Sequence, residues 1–138
     1  MNTNEREYNR ILGLPILRLV LVLHALALLA QSVFAGQFLS GSDSPVKFHE
    51  VTGWIVLGIS AAQILAGCVL MKSRIASLWL VFGSIFVFLG EGLQIGSGYG
   101  RFLNVHVPLG VILFAAVTGQ TISVFLKRAP VRRSPEMR

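Results

Sequence analysis

The chain reads as an all-α integral membrane protein: a four-helix bundle running up-down-up-down, built from two hairpins that repeat in parallel. Three observations predict this: long uncharged tracts, a periodic clustering of basic residues, and an internal echo. The 138 residues are 54% hydrophobic and 13% charged, whereas a soluble domain carries about a quarter charged residues. Leu19–Ser42, Val51–Met71, Ile75–Gly90 and Phe102–Leu126 hold no charge at all. A membrane span needs roughly 20 apolar residues. Three tracts meet that length directly, and the third in chain order meets it by taking in Glu91 and running to about Ile95. So little sequence lies outside the tracts that residues 1–138 form a single domain.

The basic residues predict an orientation. Arg6, Arg10 and Arg18 precede or open the first span, and Lys72 and Arg74 fill the second loop. Lys127, Arg128, Arg132, Arg133 and Arg138 follow the last span, while the other two loops have only Lys47 and Arg101 near Asp43 and Glu50. Both termini are therefore expected on the cytoplasmic side of a plasma or inner membrane. The net charge of +6 reports this topology rather than nucleic-acid binding. Residues 128–138 form a basic cytoplasmic tail suited to anionic lipid headgroups.

Taken in order, residues 1–10 are a polar lead expected to be interfacial or frayed, and span 1 covers about 14–38. A small-residue site before Gly36 resembles a signal-peptidase site, but the apolar run is long for a signal and is expected to stay. The turn GSDSP leads into span 2, about 48–71. KSR makes a tight cytoplasmic turn into span 3, about 76–96. The glycine-rich stretch GSGYGRFLN is expected to be an outer loop. Span 4 covers about 105–127, with Pro108 expected in its first turn, where proline is tolerated. Cys68 stands alone and is expected to be a packing residue; Trp54 and Trp79 suit interfacial belts.

The echo carries the chemistry. HEVTGWIVLGISAAQ begins at His49 and HVPLGVILFAAVTGQ at His106; in each, glycine follows four residues after the histidine and glutamine fourteen after. Upstream, GQFL from Gly36 is matched by GRFL from Gly100. At about 100° per residue, histidine, glycine and glutamine share one helix face. Span 2 then presents His49, Gly53, Ser60, Gln63 and Gly67, and span 4 presents His106, Gly110, Val117 and Gln120. Short loops make spans 2 and 4 diagonal and parallel, so His49 and His106 are expected at one depth near the outer surface, facing each other. Two such imidazoles are the axial ligands that a six-coordinate heme b iron requires. Gly53 and Gly110 would remove bulk where a flat macrocycle must fit, and Arg101 and Lys47 could meet its propionates. A bare zinc or copper ion is less suited, for want of cysteine and carboxylate ligands.

Other polar residues lie within the spans. Glu91 is the sole carboxylate in one, expected to be protonated or paired with Arg101, His49, His106 or Gln94. His24, roughly 9 Å into the membrane, is expected to meet Gln63 and Gln120 in an inner polar cluster for a proton or a quinone headgroup.

The run LQIGSGYGRFLNVHVPLGVILF resembles the corresponding stretch of heme A synthase, and in a general way the small bis-histidine cytochromes b. The resemblance implies that the chain is one four-helix half of such a protein, with His49 and His106 at the heme-ligand positions. The family's catalytic half has a glutamate three residues before its first histidine, where Val46 stands here; its outer-loop cysteine pair is also missing. The resemblance thus implies heme binding rather than heme oxygenation. Electron transfer or heme handling near the outer face is the leading expectation, with a redox protein or a quinone as partner beside membrane lipid. The alternatives are a non-catalytic membrane subunit or assembly factor without cofactor, and a small proton-coupled transporter. Phosphate loops, soluble hydrolase motifs and nucleic-acid signatures are missing from the sequence.

Overall fold

A chain in hydrocarbon must satisfy every backbone N–H and C=O from within, which leaves helices as the economical solution for four apolar tracts. The computed structural model describes residues 3–42 and 45–126, and among them every regular element is helical. The helices are α1 (Thr3–Leu39), α2 (Pro45–Met71), α3 (Leu78–Tyr99) and α4 (Leu103–Leu126). Ile11–Leu39, Val46–Met71, Leu78–Tyr99 and Leu103–Leu126 are long and apolar enough to cross a membrane.

Each helix packs on two others, α1 on α2 and α4, and α3 on α2 and α4. Cross-helix partners pair rising residue numbers with falling ones. His24 and Gln31 of α1 reach Gln63 and Thr52 of α2. Gln63 and Glu50 of α2 reach Ser84 and Tyr99 of α3. Gly83, Gly90 and Gly98 of α3 lie against Gln120, Leu113 and His106 of α4. Arg18 stacks on Phe125, and Thr121 donates to the Leu21 carbonyl, between α1 and α4. Neighbouring helices are therefore antiparallel.

Most buried residues fall on a stripe of alternating four and three steps on α1, α2 and α3, and at steps of four and seven on α4. Leu17, Leu21, His24 and Leu28 mark the stripe on α1; Val56, Ser60, Gln63, Gly67 and Leu70 mark it on α2. Leu80, Ser84, Val87 and Glu91 mark α3, and Leu113, Val117 and Val124 mark α4. A 3.5-residue repeat keeps one seam turned to its neighbours along the whole length. Two apolar clusters result: Leu28, Val56, Val87, Leu113 and Val117 in one, and Leu17, Leu21, Leu70, Ala76, Leu80 and Val124 in the other. Large apolar side chains such as Trp79, Phe86 and Leu126 stay exposed on the flanks, as suits contact with lipid.

Several boundaries differ from expectation. α1 begins at Thr3, so the lead expected to be interfacial has helical backbone from residue 3. α3 runs through the glycine-rich stretch to Tyr99, because glycine in a membrane helix serves close approach more than breakage. Its end is a tight turn in which Gly100, Arg101 and Phe102 donate to the carbonyls of Gly96, Gly98 and Ser97. α4 starts at Leu103, which puts Pro108 beyond its first turn. At α3's start Ser77 caps the helix, its side chain accepting from the Leu80 N–H. Cys68, expected to pack inside, is exposed. The basic tail 128–138 and Lys127 lie outside the described residues.

Candidate functional site

His49 and His106 open the inward stripes of α2 and α4, and their rings meet with centroids 5.9 Å apart and planes at 65°. Both are half-buried. The two rings are held alike. His49 Nδ1 donates to the Gln31 carbonyl on α1 at 3.2 Å, and His106 Nδ1 donates to the Gln94 carbonyl on α3 at 2.9 Å. A carbonyl oxygen can only accept, so each Nδ1 carries a proton, and in the neutral ring Nε2 is the nitrogen with the lone pair. Among the described residues nothing hydrogen-bonds either Nε2. This is the tautomer and support that a metal-ligating histidine uses.

The glycine one turn along each stripe lies beside the same glutamine. A Cβ on Gly53 would sit 3.8 Å from Gln31 Nε2, and one on Gly110 would sit 2.9 Å from Gln94 Nε2. A Cβ at Gly110 would thus make the Gln94 amide shift, whereas one at Gly53 has ordinary room. Gln31 Nε2 also donates to the His49 carbonyl and to Thr52 Oγ1. Gln94 Oε1 is buried with no hydrogen-bond partner among the described residues. On the other side of His106, a Cβ on Gly98 would come within 2.9 Å of its Cε1. Ser97 Oγ lies 3.4 Å from His106 Nδ1.

Deeper in the bundle a second polar group spans all four helices. His24 is fully buried; its Nδ1 is 2.8 Å from Gln63 Oε1 and its Nε2 is 2.6 Å from Glu91 Oε1. Gln63 Nε2 donates to Ser84 Oγ at 2.6 Å and to Gln120 Oε1 at 2.7 Å. Ser84 Oγ donates in turn to the Leu80 carbonyl. His24, Gln63 and Gln120 therefore come together. Glu91 joins them through His24 rather than pairing with Arg101, His49, His106 or Gln94, because the four-three stripe turns it and His24 to the interior at adjoining levels. It is the sole buried carboxylate among the described residues, and its Oε2 has no partner among them.

The remaining expected residues stand apart. Arg101 is exposed in the α3–α4 turn with φ 55°, a left-handed backbone that arginine rarely adopts. Lys47 is exposed near the start of α2. At that end Tyr99 donates to Glu50 Oε1 at 2.6 Å, with Trp54 Nε1 3.5 Å from the Tyr99 hydroxyl. Gln31 and Ser84 are the residues that sequence reasoning passed over. The signal for Gln31 was a glutamine seven residues after His24 on the same α1 stripe; Ser84 stands seven before Glu91 on α3.

The arrangement has two chemical capacities. The upper pair offers two ring nitrogens with no hydrogen-bond partner among the described residues; the lower pair holds a proton between imidazole and carboxyl. Among the described residues no three or more His, Cys, Asp or Glu gather as a ligand cluster. The chain matches no family model, no curated protein and no solved structure.

Proposed function

We propose that this chain is a membrane heme b protein of the bis-histidine, cytochrome b-like kind, with His49 and His106 as the axial ligands. The observation that carries the proposal is the matched pair of imidazoles, 5.9 Å apart at their centroids, each with Nδ1 spent on a helix carbonyl and Nε2 left to bind. Two metal–nitrogen bonds of about 2 Å, plus about 1.1 Å from each nitrogen to its ring centre, give roughly 6 Å between centroids. Two protein donors do not complete a tetrahedral zinc shell, but they do complete an iron whose macrocycle supplies the other four nitrogens. The buried, unpartnered Gln94 Oε1 is a further polar atom beside His106 suited to a bound group.

A heme held by two histidines supplies one-electron transfer, with no iron position left for oxygen chemistry. The chain's own residues do the rest. The carbonyls of Gln31 and Gln94 fix the tautomer and aim both rings. Gly98 keeps side-chain bulk from the His106 ring and Gly110 keeps it from the Gln94 amide, whereas Gly53 has ordinary room. Arg101 and Lys47 place positive charge at the same end, where outward propionates would lie. The two hairpins, each supplying glutamine carbonyl, histidine and glycine in one arrangement, support an internal repeat. On the orientation expected from the basic residues, this end faces outward and both termini lie in the cytoplasm.

The test is a reduced-minus-oxidised absorption spectrum of the full chain purified after heme-supplemented expression. The reading expects a sharp α band near about 560 nm; a heme-supplemented chain with no such band contradicts it.

A further inference from the structure

We infer that the His24–Glu91 pair is a proton-binding site whose occupancy follows the oxidation state of an iron held at His49 and His106, an inference that rests on the reading of those histidines as ligands. The hydrogen-bond directions fix the proton inventory. Gln63 turns its amide nitrogen to Ser84 Oγ and Gln120 Oε1, so its oxygen faces His24 Nδ1 at 2.8 Å and that nitrogen must donate. One further proton then lies between His24 Nε2 and Glu91 Oε1, 2.6 Å apart. Glu91 Oε2 is buried, bonded to nothing among the described residues, and is the place where another proton can bind. Glu91 is only 2% exposed, so little water screens it from a charge elsewhere in the bundle.

Among the described residues, the side chains hydrogen-bonded to the pair or next along that network are uncharged: Gln63 from α2, Ser84 from α3 and Gln120 from α4. Arg18, on α1 itself, lies toward the opposite end and stacks on Phe125. The charge that can change is the one at the histidine end. Glu91 is a single helical turn from Gln94, whose carbonyl holds His106. With the two centres on the order of 10 Å apart and an effective dielectric of about 20, one unit of charge alters proton affinity about tenfold. Reduction removes a positive charge and so raises that affinity. An iron held by His49 and His106 would supply the one-electron change, its electron coming from a one-electron donor; this chain's own part is to take one proton from surface water onto Glu91 Oε2, with no other bond formed or broken.

The experiment is a spectroelectrochemical titration of the heme-loaded full chain against pH, in wild type and Glu91→Gln, with dithionite and ferricyanide as reductant and oxidant. Because the reduced form binds the proton more tightly, the wild-type midpoint potential falls as pH rises. The expected fall is about 59 mV, the equivalent of a tenfold affinity change for a one-electron couple. Glu91→Gln removes the fall while the reduced absorption band persists. A pH-independent wild type, or an equal fall in Glu91→Gln, overturns the proposal. Should Glu91→Gln not assemble, redox-difference infrared spectroscopy decides on wild type and Glu50→Gln. A protonated-carboxyl band that grows on reduction in both supports the site; a band missing from wild type, or lost in Glu50→Gln, overturns it. Failure of the ligand reading looks different: no reduced band forms at all, and this proposal falls with it.

Discussion

The bundle contains two histidine centres a few turns apart, and they use the same side chain in opposite ways. At the His49–His106 centre each ring spends one nitrogen on a backbone carbonyl, and the other has no partner among the described residues. At the His24 centre both ring nitrogens are taken, one by an amide oxygen and one by a carboxyl. Half-buried rings with a spare lone pair suit a ligand that arrives from outside the chain. A fully buried ring with neither nitrogen spare suits holding the helices together and holding a proton. The partners of a histidine, more than its presence in a span, decide its chemistry.

Stability separates the two centres most sharply. Glu91→Ala strands His24 in the interior without its ionisable partner, and such a loss costs about 3 kcal/mol. His49→Ala in the heme-free chain removes a half-buried ring with one hydrogen bond and costs about 1 kcal/mol. Denaturant or thermal unfolding in detergent micelles measures both, and equal losses would erase the distinction. Next in size is a contrast within the upper centre. Gly98→Ala puts a methyl 2.9 Å from His106 Cε1, so the ring must move and heme affinity is expected to fall about tenfold, which is about 1.4 kcal/mol. Gly53→Ala, whose methyl has 3.8 Å of room, leaves affinity unchanged. Heme titration of the two variants side by side checks this.

Two smaller effects sharpen the lower centre and the rim. Gln63→Leu breaks interhelical hydrogen bonds worth about 1–2 kcal/mol in a membrane bundle, and leaves the His49–His106 spectrum intact. Tyr99→Phe removes the exposed bond to Glu50, and its unfolding free energy is expected to change by less than about 1 kcal/mol.

Much of the fold is legible in the sequence because hydrocarbon length is a strict ruler. The uncharged tracts gave four helices, with ends that moved by a few residues where glycines extended α3 and by about three turns where α1 began early. The upper centre was legible through spacing alone: histidine, glycine and glutamine at four and fourteen put the same groups on one face of α2 and α4. The Glu91–His24 bond was not anticipated, because depth along one helix says little about which diagonal neighbour a long side chain reaches. A four-three reading of α1 and α3 would have turned His24 and Glu91 inward together. The role of Gln31 was hidden for a different reason: its backbone carbonyl holds His49, and a carbonyl has no sequence signature.

The central claim is that His49 and His106 jointly hold one iron, and the most direct measurement is the heme-to-protein ratio of the purified chain beside His49→Ala, His106→Ala and His24→Asn. The account predicts a single heme per chain in wild type and in whatever His24→Asn folds, with near-complete loss in each of the other two. Heme retained in full by His49→Ala or His106→Ala, or a wild type that binds none, would contradict it.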